Sequence, residues 1–215
     1  MTISVNPIQT TNAAGTFSTS LDGLMQGMTM DDPAIRNQLT GGVVAATETL
    51  PMFGGVPISE QFPSTTPVPP LVTTIEHALG LQISRAIGPL VSPAIAGSMS
   101  GICVFNQAHN MINTPQSPVP VAEPGMTCHY YRFGSRARIA FAMDPASNPA
   151  TLFPGVLLNW VAASGWISLA AGGIALPATV RMVGYNIGNS MTVAFNATTG
   201  FATWVRNGNA ILLEI

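Results

Sequence analysis

The chain has 215 residues, 47% of them apolar and only 7% charged, where about 25% charged is ordinary; seven arginines stand against nine acids, and there is no lysine. This excludes chain-wide disorder, which goes with few apolar residues and abundant charge, and it excludes lysine-dependent chemistry such as phosphate-loop nucleotide binding and Schiff-base catalysis. A formal net charge of −2 leaves too few cations for general nucleic-acid binding. So little charge suits a dispersed monomer poorly, and the surface is expected to be covered by copies of itself or by another protein.

Residues 1–40 are rich in Thr, Ser, Asn, Gln and Gly and show neither helical nor strand periodicity, which predicts an extended arm. Within it Leu21, Leu24, Met25, Met28 and Met30 are each worth about 1.5–3 kcal/mol when fully buried, so they are candidate partner contacts. The first residues lack a basic region followed by an apolar one, so synthesis in the cytoplasm is expected. Residues 41–61, with Gly41-Gly42-Val43-Val44 and Phe53-Gly54-Gly55-Val56-Pro57-Ile58, predict short β segments joined by Gly and Pro turns. Residues 62–70 hold Pro63, Pro67, Pro69 and Pro70 and read as an extended connector and a domain boundary.

Residues 71–215 are expected to form a β-rich barrel or sandwich domain. Near its start, Ile75, Leu79, Ile83 and Ile87 recur at helical spacing, with Thr73 or Thr74 as N-cap. Alternation at Leu79, Leu81 and Ile83 leaves a strand open for the same stretch. Asn113 to Gly125, with Pro115, Pro118, Pro120 and Pro124, reads as a long loop. Ser135 to Met143 places Ala137, Ile139, Phe141 and Met143 on one face and Arg136 and Arg138 on the other, predicting a strand with one wet face. Further strands are predicted at Val156–Val161, Trp166–Leu169, Thr179–Tyr185, Met191–Phe195, Phe201–Val205 and Ala210–Ile215. Each is bounded by a turn signal, of which Asn207-Gly208 is the strongest for a hairpin. The fold class is therefore all-β, a barrel or sandwich with an extended N-terminal arm and room for one short helix.

The chain offers little chemistry. His77, His109 and His129 lie on different segments, and Cys103 and Cys128 have no metal-ligand spacing, so no metal or other cofactor is expected; the two cysteines read as buried thiols. Asp31 and Asp32 precede Pro33 in a turn-like context and read as a solvated loop or a helix start, not a catalytic pair. In Gly97-Ser98-Met99-Ser100-Gly101 the nucleophile-elbow position holds Met99, not Ser. The apolar run Leu152–Ala171 is broken by Pro154, Gly155, Asn159 and Gly165, which excludes a transmembrane helix. Three Trp and three Tyr are few for the aromatic girdles of a membrane barrel. No enzyme, nucleic-acid or membrane function is expected. One cluster remains: Arg132, Arg136 and Arg138, with Arg136 and Arg138 pointing the same way, can anchor the acidic groups of a partner.

The long polar arm, the Gly- and Pro-punctuated β region, and the run from Arg136-Ala137-Arg138-Ile139-Ala140-Phe141 through Met191-Thr192-Val193-Ala194-Phe195-Asn196-Ala197-Thr198-Thr199-Gly200 together resemble the capsid decoration, or cement, proteins of tailed bacteriophages. The likeness covers mainly residues 120–215, with a weaker echo in Gly41 to Ile58. It implies a non-enzymatic, β-rich virion protein, commonly a homotrimer, on the capsid exterior. Such a protein binds the major capsid protein at capsomer junctions and carries no catalytic residues. Two other structural roles fit a β-rich chain: a jelly-roll major coat protein and a tail-fibre or receptor-binding component. Against the first, residues 1–35 lack the basic arm usual in coats that enclose RNA; against the second, no internal repeat is visible.

Overall fold

Gly and Pro interrupt this chain too often for helices to propagate, and β-branched and aromatic residues fill the intervals, so the structure is nearly all β. The structure, a computed structural model, describes residues 23–29, 33–61, 82–86, 99–105, 112–114, 117–147, 156–169, 173–196 and 198–215. A single helical turn, α1 (Pro33–Arg36), is followed by β1 (Thr40–Val44), β2 (Pro57–Gln61), β3 (Gln82–Arg85), β4 (Gly101–Cys103), β5 (Ile112–Thr114), β6 (Ser117–Val121) and β7 (Thr127–Arg132). After these come β8 (Arg138–Ala142), β9 (Asn159–Val161), β10 (Trp166–Ser168), β11 (Ile174–Ala175), β12 (Arg181–Phe195) and β13 (Ala202–Glu214).

Five strands close into a barrel in the order β1, β3, β2, β4, β7. The β1–β3 pair is parallel and the other pairs are antiparallel. Strand alternation turns Val44, Ile58, Ile83, Cys103, Cys128 and Tyr130 into one buried cluster. Ile102 and its cross-strand partner Tyr131 face the other way. They join Ile139, Phe141, Trp160, Ile211 and Leu213 in a second cluster between the barrel and the sheet β12–β13–β8. A small sheet, β10–β9–β11, contributes Trp160 and Ile167 to that second core. The barrel takes β1 and β2 from before residues 62–70 and its other strands from after them.

Several expectations are corrected. Ile83 lies in strand β3, paired with both β1 and β2, so the helical spacing through Ile83 does not produce a helix at Gln82–Arg85; a place in the closed barrel outweighs a weak local preference. Ile75, Leu79 and Ile87 lie outside the described residues, as does the connector 62–70. The expected loop from Asn113 to Gly125 contains β6, paired with β5. Pro118 and Pro120 are tolerated there because the sheet has only two strands, so each has a side that needs no N–H donor; Val119 and Val121, which alternate with them, are buried.

The expected inward face, Ala137, Ile139, Phe141 and Met143, is buried, and the expected wet face holds at Arg136 and Arg138, which are exposed, but not beyond them: Ala140 and Ala142 are buried as well. The cause is the segment 24–29, which lies along β8. Gly27 N–H donates to Ala140 O (2.7 Å) and Ala140 N–H to Met28 O (3.1 Å). Leu24 packs with Ala140, Ala210 and Leu212 in a third small core.

Asn207-Gly208 is not a hairpin turn but an irregularity inside the continuous strand β13. Asn207 has φ 60°, yet the register shifts between Ser190↔Gly208 and Thr192↔Val205, so the left-handed residue absorbs extra length in a bulge. A Cβ on Gly208 would overlap the Thr192 side chain, which makes glycine necessary there for space. Likewise the predicted strands 179–185 and 191–195 are one strand, β12, irregular between Asn186 and Ser190. The hairpin turn lies at Asn196–Phe201, where Asn196 Oδ1 accepts from Thr198 N–H (2.9 Å) and Thr199 N–H (3.2 Å).

Candidate functional site

The arm residues singled out by sequence divide. Leu21 and Met30 lie outside the described residues. Leu24 is buried within its own chain, and Met25 forms a parallel bridge with Met191 on the edge of β12. Two backbone bonds hold it there: Gln26 N–H to Met191 O and Met191 N–H to Leu24 O, both 2.8 Å. Met28 is half-buried against β8. Between them Gln26 is fully buried. Its Oε1 accepts from Val193 N–H (2.8 Å) and its Nε2 donates to Gly54 O (3.3 Å), so one amide ties the segment to both β12 and the 53–56 turn. Gly27 (φ 77°) has no room for a side chain, because a Cβ would overlap Gly54. The segment 24–29 is thus a built-in wedge of the fold.

The three arginines are not one cluster on one strand. Arg136 precedes β8 in the left-handed region (φ 61°), where its N–H donates to Ile215 O (2.6 Å); it does not share a strand face with Arg138. Arg138 Nε donates to Glu214 Oε2 at 3.3 Å, both groups being partly exposed. Arg132 Nε donates to Glu60 Oε1 at 2.6 Å, and Glu60 is only 8% exposed. The same oxygen accepts from Tyr130 OH at 2.5 Å. Burial, together with the hydrogen bond to Glu60 and its charge, pushes the Tyr130 phenol well above its ordinary range. The bond to Glu60 likewise raises the Arg132 guanidinium. Tyr130, Glu60 and Arg132 close one end of the barrel; sequence reading missed Glu60, whose role appears only when β2 and β7 enter the same barrel.

Beside Tyr130, which pairs across the strands with Cys103, Cys103 and Cys128 are buried thiols with sulfurs 2.7 Å apart. Burial pushes the Cys103 thiol well up, so it does not act as a ready nucleophile. Arg85 lies nearby. Its guanidinium carbon stands 4.5 Å from the Phe195 ring centroid and 5.3 Å from that of Phe53, within cation–π range. Arg85 was passed over in the sequence, where its only signal is a lone charge in the apolar run Ile83-Ser84-Arg85-Ala86-Ile87.

No group of three or more His, Cys, Asp or Glu side chains among the described residues is arranged to hold a metal. A cleft of about 510 Å³ lies between β10 and the β12–β13 ribbon, lined by Met143, Trp166, Val193, Phe195, Val205 and Asn209 among others. Its lining includes no acid or base for proton transfer. The outer surface instead carries large apolar side chains: Val183 (44% exposed), Tyr185 (47%) and Ile187 (42%) at alternate positions of β12, with Phe201 and Val205 near the ribbon's turn. Comparison with protein-family models, with curated proteins and with solved structures finds no match.

Proposed function

We propose that this chain is a structural virion protein that decorates and stabilises an icosahedral phage capsid. It binds the major capsid protein on the outer surface at capsomer junctions and associates with copies of itself as a homotrimer. It carries no catalysis. The observation that carries the reading is the row Val183, Tyr185 and Ile187 on β12, in a chain whose charged fraction is only 7%. Apolar side chains grouped on a surface mark an interaction site, and alternate residues of one strand present them together. The compact all-β architecture and the resemblance of residues 120–215 to cement proteins support the same role. Arg132 and Arg138 are engaged by Glu60 and Glu214, so the apolar row supplies the contact area and Arg136 a charged anchor. Many weak contacts of this kind, repeated over a symmetric shell, add through multivalency.

The test is occupancy on the particle. Replacing Val183, Tyr185 and Ile187 together by serine removes apolar area that the isolated chain already exposes, so the unfolding midpoint stays nearly unchanged, whereas binding to the shell is lost. Occupancy equal to wild type overturns the assignment of this row. Electron cryo-microscopy of the particle then places the chain: density on the outside of a complete shell supports decoration, and density confined to the tail or forming the shell itself overturns it.

A further inference from the structure

We propose that Cys103 and Cys128 are a disulfide-forming pair inside the barrel, joined by exchange with a small-molecule disulfide into a staple between β4 and β7. They are the two cysteines of the chain. Cys103 lies opposite Tyr130 in the β4–β7 pair, and Cys128 stands two residues before Tyr130 on the same strand, so both side chains belong to the inward cluster. Diagonal neighbours of this kind are ordinarily spaced near the far limit for a disulfide. Here the side chains converge until the sulfurs stand 2.7 Å apart, against about 2.05 Å for the bond itself, and a movement of well under an ångström closes it. Both residues are fully buried, and among the described residues they stand in no group of three or more His, Cys, Asp or Glu that could hold a metal instead.

The exchange is balanced. The thiolate of one cysteine attacks the small disulfide, which gives a mixed disulfide and releases one small thiol. The second cysteine gives its proton to solvent, and its sulfur attacks the protein sulfur of the mixed disulfide and expels the second small thiol. Two cysteine thiols are oxidised, and one small disulfide is reduced to two thiols. In the closed barrel neither sulfur is exposed, and burial, offset only in part by the charge of Arg85, keeps the Cys103 thiol protonated, so the first exchange belongs to the unfolded or opened chain. Folding then drives the second step, because pairing β4 with β7 brings the partner sulfur to contact and gives it an effective concentration far above that of any external thiol. Once the barrel closes, the same enclosure keeps reductants from the bond.

Refolding the full chain from denaturant in oxidised glutathione, against refolding in a reductant, tests this. The oxidised product lacks the mass of two hydrogens, carries no glutathione, shows no free thiol after unfolding, and yields peptides joined through Cys103 and Cys128. Its thermal midpoint lies above that of the reduced protein by about 5 °C or more, as for a link between positions 25 residues apart. Cys103→Ala and Cys128→Ala, refolded in the same way, each leave a single cysteine that ends free or as a glutathione adduct, and neither gains in midpoint. Wild-type protein that keeps two free thiols or two glutathione adducts overturns the proposal, as do disulfides formed only between chains. A link that forms without raising the midpoint overturns its role as a staple. Where a variant fails to fold, the peptide map and the two midpoints of the wild-type protein decide.

Discussion

Replacing Gln26 by leucine tests whether the segment 24–29 is part of the fold. Leucine fills much of the same space but supplies neither acceptor nor donor, so Val193 N–H and Gly54 O, both tied to Gln26 in its buried position, lose their partner. A buried polar group left unpaired costs about 1–3 kcal/mol. The Val193 bond is short at 2.8 Å and the Gly54 bond long at 3.3 Å, so Val193 dominates and the total is about 2–4 kcal/mol. At about 2–4 °C per kcal/mol for a chain of this length, the midpoint falls by roughly 5–15 °C. Urea unfolding reads the loss as a lower midpoint with an unchanged slope, and hydrogen exchange reads it locally as lost protection at the Val193 amide. A stability loss below about 1 kcal/mol with Val193 still protected would show that the wedge does not depend on this amide, and the reasoning fails. Gln26→Glu, which keeps an acceptor for Val193 but loses the donor to Gly54, separates the two bonds.

Truncation follows the same boundary: deleting residues 1–22 leaves a cooperatively folding chain, whereas deleting residues 1–29 removes Gln26 and Gly27 and abolishes the cooperative transition in circular dichroism. Arg138→Ala breaks a pair with both groups in contact with water and costs under about 1 kcal/mol, while Arg132→Ala takes the charged partner from the nearly buried Glu60 carboxylate and leaves it the hydrogen bond from Tyr130, at a cost of about 1–3 kcal/mol; denaturant midpoints rank the two, and equal effects refute the distinction. Tyr130 has a phenol raised above its ordinary value, so its neutral form stabilises the fold fully below about pH 10 and that contribution fades as pH climbs through the raised value. Absorbance at the phenolate band then shows Tyr130 resisting ionisation until the protein unfolds, and Tyr130→Phe removes this part of the alkaline destabilisation; titration of Tyr130 at an ordinary pH in the folded protein refutes it.

The fold class was readable because alternation over Ala137, Ile139, Phe141 and Met143 needs only local geometry. What was not readable depends on distant partners. Ala140 faces inward because residues 24–29 cover it, and nothing in the neighbourhood of Ala140 announces that. Asn207-Gly208 carries a correct conformational message, a left-handed residue beside a glycine, but the same chemistry serves a turn or a bulge, and the pairing with β12 decides which. Ile83 shows the same limit: its spacing fits a helix and its alternation fits a strand, and closure of the barrel selects the strand. The site was harder still. Arg132, Arg136 and Arg138 drew attention by being close in sequence, yet the structure engages two of them with Glu60 and Glu214, about seventy residues away. Arg85, without a charged neighbour in sequence, is the arginine whose buried nitrogens have no partner.

The wedge also governs the order in which the molecule can form. Gln26 and Val193 are 167 residues apart, so the segment 24–29 can dock fully only once β12 has been made. Until β12 emerges, Ala140 and the 53–56 turn lack the cover that Leu24 to Thr29 give them, and the nascent chain exposes apolar strands that local pairing cannot bury. Such distant contacts slow folding and lengthen exposure to aggregation. The five barrel strands, the last of which ends at Arg132, are all made before β12, so the barrel can close before the wedge is locked against Met191 and Val193.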